Sequence, residues 1–356
     1  MLGVSCFGML RRRLGVQYEI GAFSLMENHG TVMTSELLKQ NYYENDNSFY
    51  ANGITLTCVD LARRESIRKY NVDENLVFCE DINIVFSTQP ENIYFRKHNL
   101  NYNRKACEYC CVTKEAEFAE YSIKQILKNE NIVVFRTATD YLKAFSWYRT
   151  EEPYIQTSHW AIIIGYDQQD YFFVDVPGMR NTKYFRPHPQ NPSVGCIDKK
   201  DLQRAFQICC EVGYMNVNPD RIVGLEKILT GIVQSFYCTN TENNAIYVGK
   251  QALEALAAML KKNLSISVFD WFDLEVLASR YDILKTNLHR YPLLKEQEQS
   301  IFLLEELAGK WRVFKNVMVK HAYSPQSNTG EKLANVIEAE ILPMAEELVH
   351  NLEKNI

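Results

Sequence analysis

The sequence predicts an α+β fold, with an antiparallel sheet in its first part and an all-helical region after it. Three observations carry this. The β-rich runs His159–Tyr166 and Tyr171–Asp175 flank the short polar loop Asp167–Asp170, which is the pattern of a hairpin. The first run is almost continuously apolar, as in a strand covered on both faces. Beyond about residue 218, long stretches of helical periodicity replace the strands.

In chain order, Cys6, Leu10 and Leu14 repeat every four residues. Gly15 follows directly, a short helix with a stop signal. Residues 26–56 are polar, with Asn-rich turns. Residues 57–70 predict a helix with Val59, Ala62, Ile67 and Tyr70 on its apolar side. Phe78 to Phe86 and Ile93 to Phe95 look like short strands, and Glu115–Lys128 like a helix. Asn131–Arg136 is a strand ahead of the hairpin. The helical patterns that follow are Ala245–Leu264, Asp270–Leu288, Gln297–His321 and Glu331–Glu353. One apolar stripe holds Leu253, Leu256, Ala257 and Leu260; another holds Leu303, Leu304, Leu307 and Trp311. The change of texture near Asn216–Gly224 predicts two domains, 1–218 and 219–356. The helical one is expected to border the cleft of the first, because no Gly/Ser/Pro-rich linker separates them.

Of the 356 residues, 46% are apolar and 23% charged, enough to bury a sizeable core. The formal charge of −5 argues against a general nucleic-acid binder, which carries a basic excess. No apolar run is long enough to span a membrane. Arg11-Arg12-Arg13 follows the apolar N-terminal stretch instead of preceding it, the reverse of an export signal. A cytoplasmic protein is expected, with its 10 cysteines reduced and mostly buried. No phosphate-binding glycine motif occurs. Cys107-Glu-Tyr-Cys110 has a zinc-type spacing but lacks the second ligand pair that a structural zinc needs. His29 reads as a turn residue, and no metal or organic cofactor is expected.

His159 begins one strand of the hairpin and Asp175 ends the other, so antiparallel pairing brings them together. An aspartate in that position fixes the imidazole tautomer, through Nδ1–H, and stabilises the imidazolium. A nucleophile for such a base belongs at a helix N-terminus. There the helix dipole and the imidazolium favour thiolate, and backbone N–H groups can hold an oxyanion.

The run Ser158-His159-Trp160-Ala161-Ile162-Ile163-Ile164-Gly165-Tyr166-Asp167, then Phe172-Phe173-Val174-Asp175, resembles the His…Asp hairpin of papain-like cysteine enzymes. The peptidase domains of bacteriocin-processing transporters are one similar group; the butirosin biosynthesis protein H family is another. The latter likeness extends to Thr137-Ala138-Thr139-Asp140-Tyr141-Leu142 and to a C-terminal helical extension. It covers most of residues 1–215 in outline and 130–210 in detail. The resemblance implies a papain-like fold with a Cys-His-Asp triad. It also implies acyl transfer from a carrier-protein thioester to an amine of a small natural product, so the implied partners are an acyl carrier protein and a small amine. Cys6 is the expected nucleophile, because Cys6-Phe-Gly-Met-Leu10 leading to Leu14-Gly15 is similar to the family's helix. Cys58 is the alternative: Asn52 stands six residues before it, and its spacing to His159, 101 residues, is shorter than that of Cys6. Against Cys58 stands Asp60, whose charge opposes a thiolate. A cysteine peptidase or amidohydrolase, or an inactive papain-like binding protein, is the alternative function.

Overall fold

The computed structural model describes residues 32–33, 57–70, 72–80, 82–89, 92–96, 102–145, 148, 158–175, 183–238, 246–262, 270–291, 297–324 and 328–356. The chain divides by compactness into Met1–Thr31 and Val32–Ile356. Cys6, Arg11–Arg13, His29 and Asn52 lie outside the described residues.

The architecture is mixed α+β. The strands are β1 (Val32–Met33), β2 (Val85–Gln89), β3 (Asn92–Arg96), β4 (Cys107–Thr113), β5 (Val133–Ala138), β6 (Ser158–Tyr166), β7 (Asp170–Val174), β8 (Pro187–His188), β9 (Asn191–Asp198), β10 (Cys210–Val217) and β11 (Ile246–Val248). The main sheet runs β4-β10-β5-β6-β7-β9-β8, with β1 paired to β6, and its pairings are antiparallel. A smaller sheet runs β11-β2-β3.

Among the described residues, the helices of the first part are α1 (Cys58–Arg68), α2 (Glu74–Phe78), α3 (Ala116–Lys128) and α4 (Lys199–Ile208). Those after β10 are α5 (Leu225–Phe236), α6 (Gly249–Lys261), α7 (Asp270–Arg290), α8 (Gln297–Tyr323), α9 (Thr329–Val336) and α10 (Leu342–Asn355). Among the described residues, no helix is long and apolar enough to cross a membrane.

Strand alternation divides the sheet residues between two cores. Val134, Ile162, Ile164 and Val174 join Leu61 and Ile67 of α1 in one cluster. Val133, Phe135, Ala161, Ile163 and Phe173 join Ile123 of α3 and Leu202 of α4 in the other. The continuous apolar run in β6 therefore has the origin its sequence implied: both faces are covered.

The first cluster continues without a break into the C-terminal helices, through Ile228, Leu256, Leu284, Leu307 and Trp311. Polar contacts tie the same parts together. Asn287 Nδ2 donates to the Asn75 carbonyl at 3.0 Å. The Asn103 side chain accepts from Val223 N at 2.6 Å and donates to the Leu76 carbonyl at 2.8 Å.

Several local expectations differ from the structure. A strand is expected from Phe78, but Glu74–Phe78 is a helical turn. Asp73 caps it, its side chain accepting from Asn75 N, and the strand begins only at Val85. The helix Leu225–Phe236 stands outside the helical stretches expected from the sequence.

Candidate active site

β6 and β7 deliver two of the three expected site residues. Ile162 faces Val174 in register, so Asp175 stands opposite Ala161, two residues from His159 along the same side of the pleat. Both oxygens of Asp175 meet His159 Nε2, at 2.9 and 2.7 Å. His159 is 5% exposed and Asp175 is fully buried. The ring therefore points the other way from the Nδ1 pairing expected from sequence, and Nδ1 is left for the nucleophile side. Phe145 sits edge-on to the imidazole, with ring centroids 6.0 Å apart, and stacks on Phe173. These aromatic contacts restrict the plane of the ring.

Among the described residues, the thiol of Cys58 hydrogen-bonds His159. Cys58 is the first residue of α1, whose start is built by a cap. Thr57 has extended backbone, and its hydroxyl accepts from Asp60 N at 3.1 Å. The helical ladder opens with Leu61 N donating to the Thr57 carbonyl at 2.9 Å. The amides of Cys58 and Val59 precede that first rung, so they are helix-start donors outside the ladder. α1 packs against β6 and β10, which sets its N-terminus beside the start of β6.

Burial opposes charge on His159, but the Asp175 carboxylate, and then Cys58, outweigh it and raise the imidazole pKa to about 10. The protonated imidazole is thus favoured at neutral pH, held between the Asp175 carboxylate and the Cys58 sulfur.

Asp60, two residues after Cys58, is 1% exposed. Its carboxylate meets Arg63 Nη1 at 2.9 Å and Arg104 Nη2 at 3.6 Å. Burial acts against the carboxylate, but Arg104, Arg63, Arg280 and the Thr57 hydroxyl hold it ionised down to about 2. The charge that counted against Cys58 in the sequence is therefore matched by cations from the turn Arg104–Ala106 and from α7.

Cys107 and Cys110 lie three apart on strand β4, so alternation sends them to opposite faces. The remaining sheet-end polar residues form a separate group. Arg136 donates to Ser158 Oγ through Nε at 3.0 Å and Nη2 at 2.7 Å, and lies 5.9 Å from the Trp160 ring centroid. Its Nη1 comes to 4.0 Å from Glu211. Neither Arg104 nor Arg280 was singled out from the sequence; lone arginines 46 and 222 residues after Cys58 carry no local signal.

Scanned against models of known protein families, the chain matches none, and a search of curated proteins likewise finds no match.

Proposed function

We propose that the chain is a cysteine-dependent acyl-transfer enzyme of the papain-like type, with Cys58 as nucleophile, His159 as its proton partner and Asp175 as the orienting carboxylate. The observation that carries this reading is the Cys58–His159–Asp175 chain of contacts, with the thiol at the start of a capped helix. Such a set is recognised by geometry and role.

In this mechanism the Cys58 proton rests on His159 Nδ1, and the sulfur attacks a thioester or amide carbonyl as thiolate, forming a C–S bond. The oxygen of the tetrahedral intermediate takes the negative charge. The helix-start amide of Cys58 supports it as a donor. Collapse breaks the bond to the leaving thiol or amine, and His159 gives that group its proton. An amine, or water, then attacks the acyl-enzyme while His159 accepts the proton from it. Asp175 keeps Nε2 engaged throughout, so Nδ1 is the atom that exchanges the proton with sulfur.

The resemblance drawn from residues 130–210 favours a carrier-bound acyl donor and a small amine acceptor. A peptidase uses the same steps up to deacylation, so the acceptor distinguishes them. Incubation with short acyl thioesters of N-acetylcysteamine should give an acylated Cys58 peptide in the mass spectrum. Added small amines should then yield amide in place of free acid. Free acid alone, at every amine concentration, would assign the site to hydrolysis; absence of any acyl-enzyme would leave a binding domain.

A further inference from the structure

We infer that the exposed face of α8 is a dimer interface, on which a second copy of this chain packs antiparallel about a two-fold axis at Gly309.

α8 is 27 residues long and turns one side to the core, where Leu303, Leu304, Leu307, Trp311, Phe314 and Met318 are buried. Helical periodicity puts Glu298, Phe302, Glu305, Gly309, Val313 and Lys320 in one line along the opposite side, and all six are exposed. Phe302 is 55% exposed and Val313 57%, with Val317 at the shoulder of the line at 36%. A helix that meets only solvent keeps its outer side polar. Large apolar side chains on either side of its midpoint mark a surface that another protein covers.

Gly309 points the same way. A glycine inside a helix weakens it, so its place there needs a cause. For Gly231, inside α5, the cause is visible: a Cβ would lie 2.6 Å from Tyr102 Cε2. A Cβ on Gly309 would meet nothing of its own chain within 4 Å. Its fold does not need that side chain to be missing. A second helix crossing closely at that point does.

The line is its own complement when reversed about Gly309. Glu298 then faces Lys320 of the second copy, and symmetry repeats the pair at the other end. Phe302 enters the gap between Val313 and Val317 of the second copy, a knob into a hole. Among the described residues neither Glu298 nor Lys320 has an ion-pair partner, so both charges are available. Glu305, which falls opposite Val313, already has Lys285 at 3.6 Å. Parallel packing would instead set Glu298 against Glu298 and Lys320 against Lys320. The antiparallel contact is isologous and closes as a dimer.

The test is sedimentation velocity of the full chain over a range of concentrations. The wild type should be a monomer–dimer equilibrium with a Kd at or below ~10 μM. G309L fills the axis and should weaken the dimer at least ~10-fold. It should melt no lower than the wild type under monomeric conditions, because leucine is the better helix former. E298K and K320E should each weaken the dimer roughly tenfold, and E298K/K320E should return to within roughly threefold of the wild type. A wild-type chain that stays monomeric up to ~100 μM overturns the proposal. So does a dimer that G309L leaves at full strength, or a double charge reversal that fails to restore it. Where G309L melts early, the charge reversals decide alone: recovery in the double variant supports the antiparallel dimer, and none overturns it.

Discussion

Asp175 grips His159 with both carboxylate oxygens, 2.9 and 2.7 Å from Nε2, in a site where neither side chain has more than marginal contact with solvent. A buried ion pair of this kind costs desolvation on both sides, and removing one partner alone strands the other. Its place beside a thiol is what the proposed proton transfer requires, and several consequences can be measured.

Asp175→Asn should keep the fold and lower turnover by at least ~100-fold. An amide cannot stabilise the imidazolium, and its NH2 end would favour the wrong tautomer. Thiol labelling of Cys58 at pH 6 should fall in the same variant. Unimpaired turnover and labelling would mean that Asp175 only closes a strand.

The pair also predicts a direction for stability against pH. The folded-state pKa of His159, about 10, lies above its ordinary value of 6.5, so the folded state binds that proton more tightly. Its contribution is fully present below pH ~6.5 and is lost as the pH rises through about 10. Asp60 behaves oppositely: its carboxylate, held down to about 2, contributes above pH ~4 and loses that contribution as the pH falls through about 2. Urea unfolding across this range should show a plateau between about pH 4 and 6.5. The alkaline decline should be reduced in H159Q by on the order of 5 kcal/mol. Equal alkaline slopes in the two proteins would contradict the ion pair.

Thr57→Ala removes the hydroxyl that accepts from Asp60 N. The expected loss is about 1 kcal/mol of stability. Labelling of Cys58 should also slow, because the cap orients the turn that carries the sulfur. Thr57→Ser should restore both.

The hairpin pair was legible in the sequence because strand periodicity is local. Two apolar runs around Asp167–Asp170 suffice to bring His159 near Asp175. The orientation of the ring was not legible, since whether Nε2 or Nδ1 faces the carboxylate depends on Phe145 and the packing around it. The effect of Asp60 was misjudged for a related reason. Read alone it is a negative charge beside a thiol, and the cations that answer it are distant along the chain. The turn Glu74–Phe78 was hidden because Leu76-Val77-Phe78 is too short an apolar run to distinguish helix from strand.

A fragment ending at residue 218 should not unfold as a cooperative unit. It would expose the sheet-side core that Ile228, Leu256, Leu284 and Trp311 complete, and would orphan the bond from Asn287 to Asn75. Circular dichroism with urea should show a broad transition or none. A sharp transition with Cys58 labelling at the full-length rate would refute the shared core.

The most direct measurement of the central claim is the labelling rate of Cys58 at pH 6 in the wild type and in H159A, each peptide followed separately. Cys58 should outpace the exposed thiol of Cys238 by at least ~10-fold, and the advantage should disappear in H159A. If Cys58 reacts no faster than Cys238 and ignores His159, or if the His159-dependent thiol proves to be Cys6, the assignment of Cys58 as nucleophile is wrong.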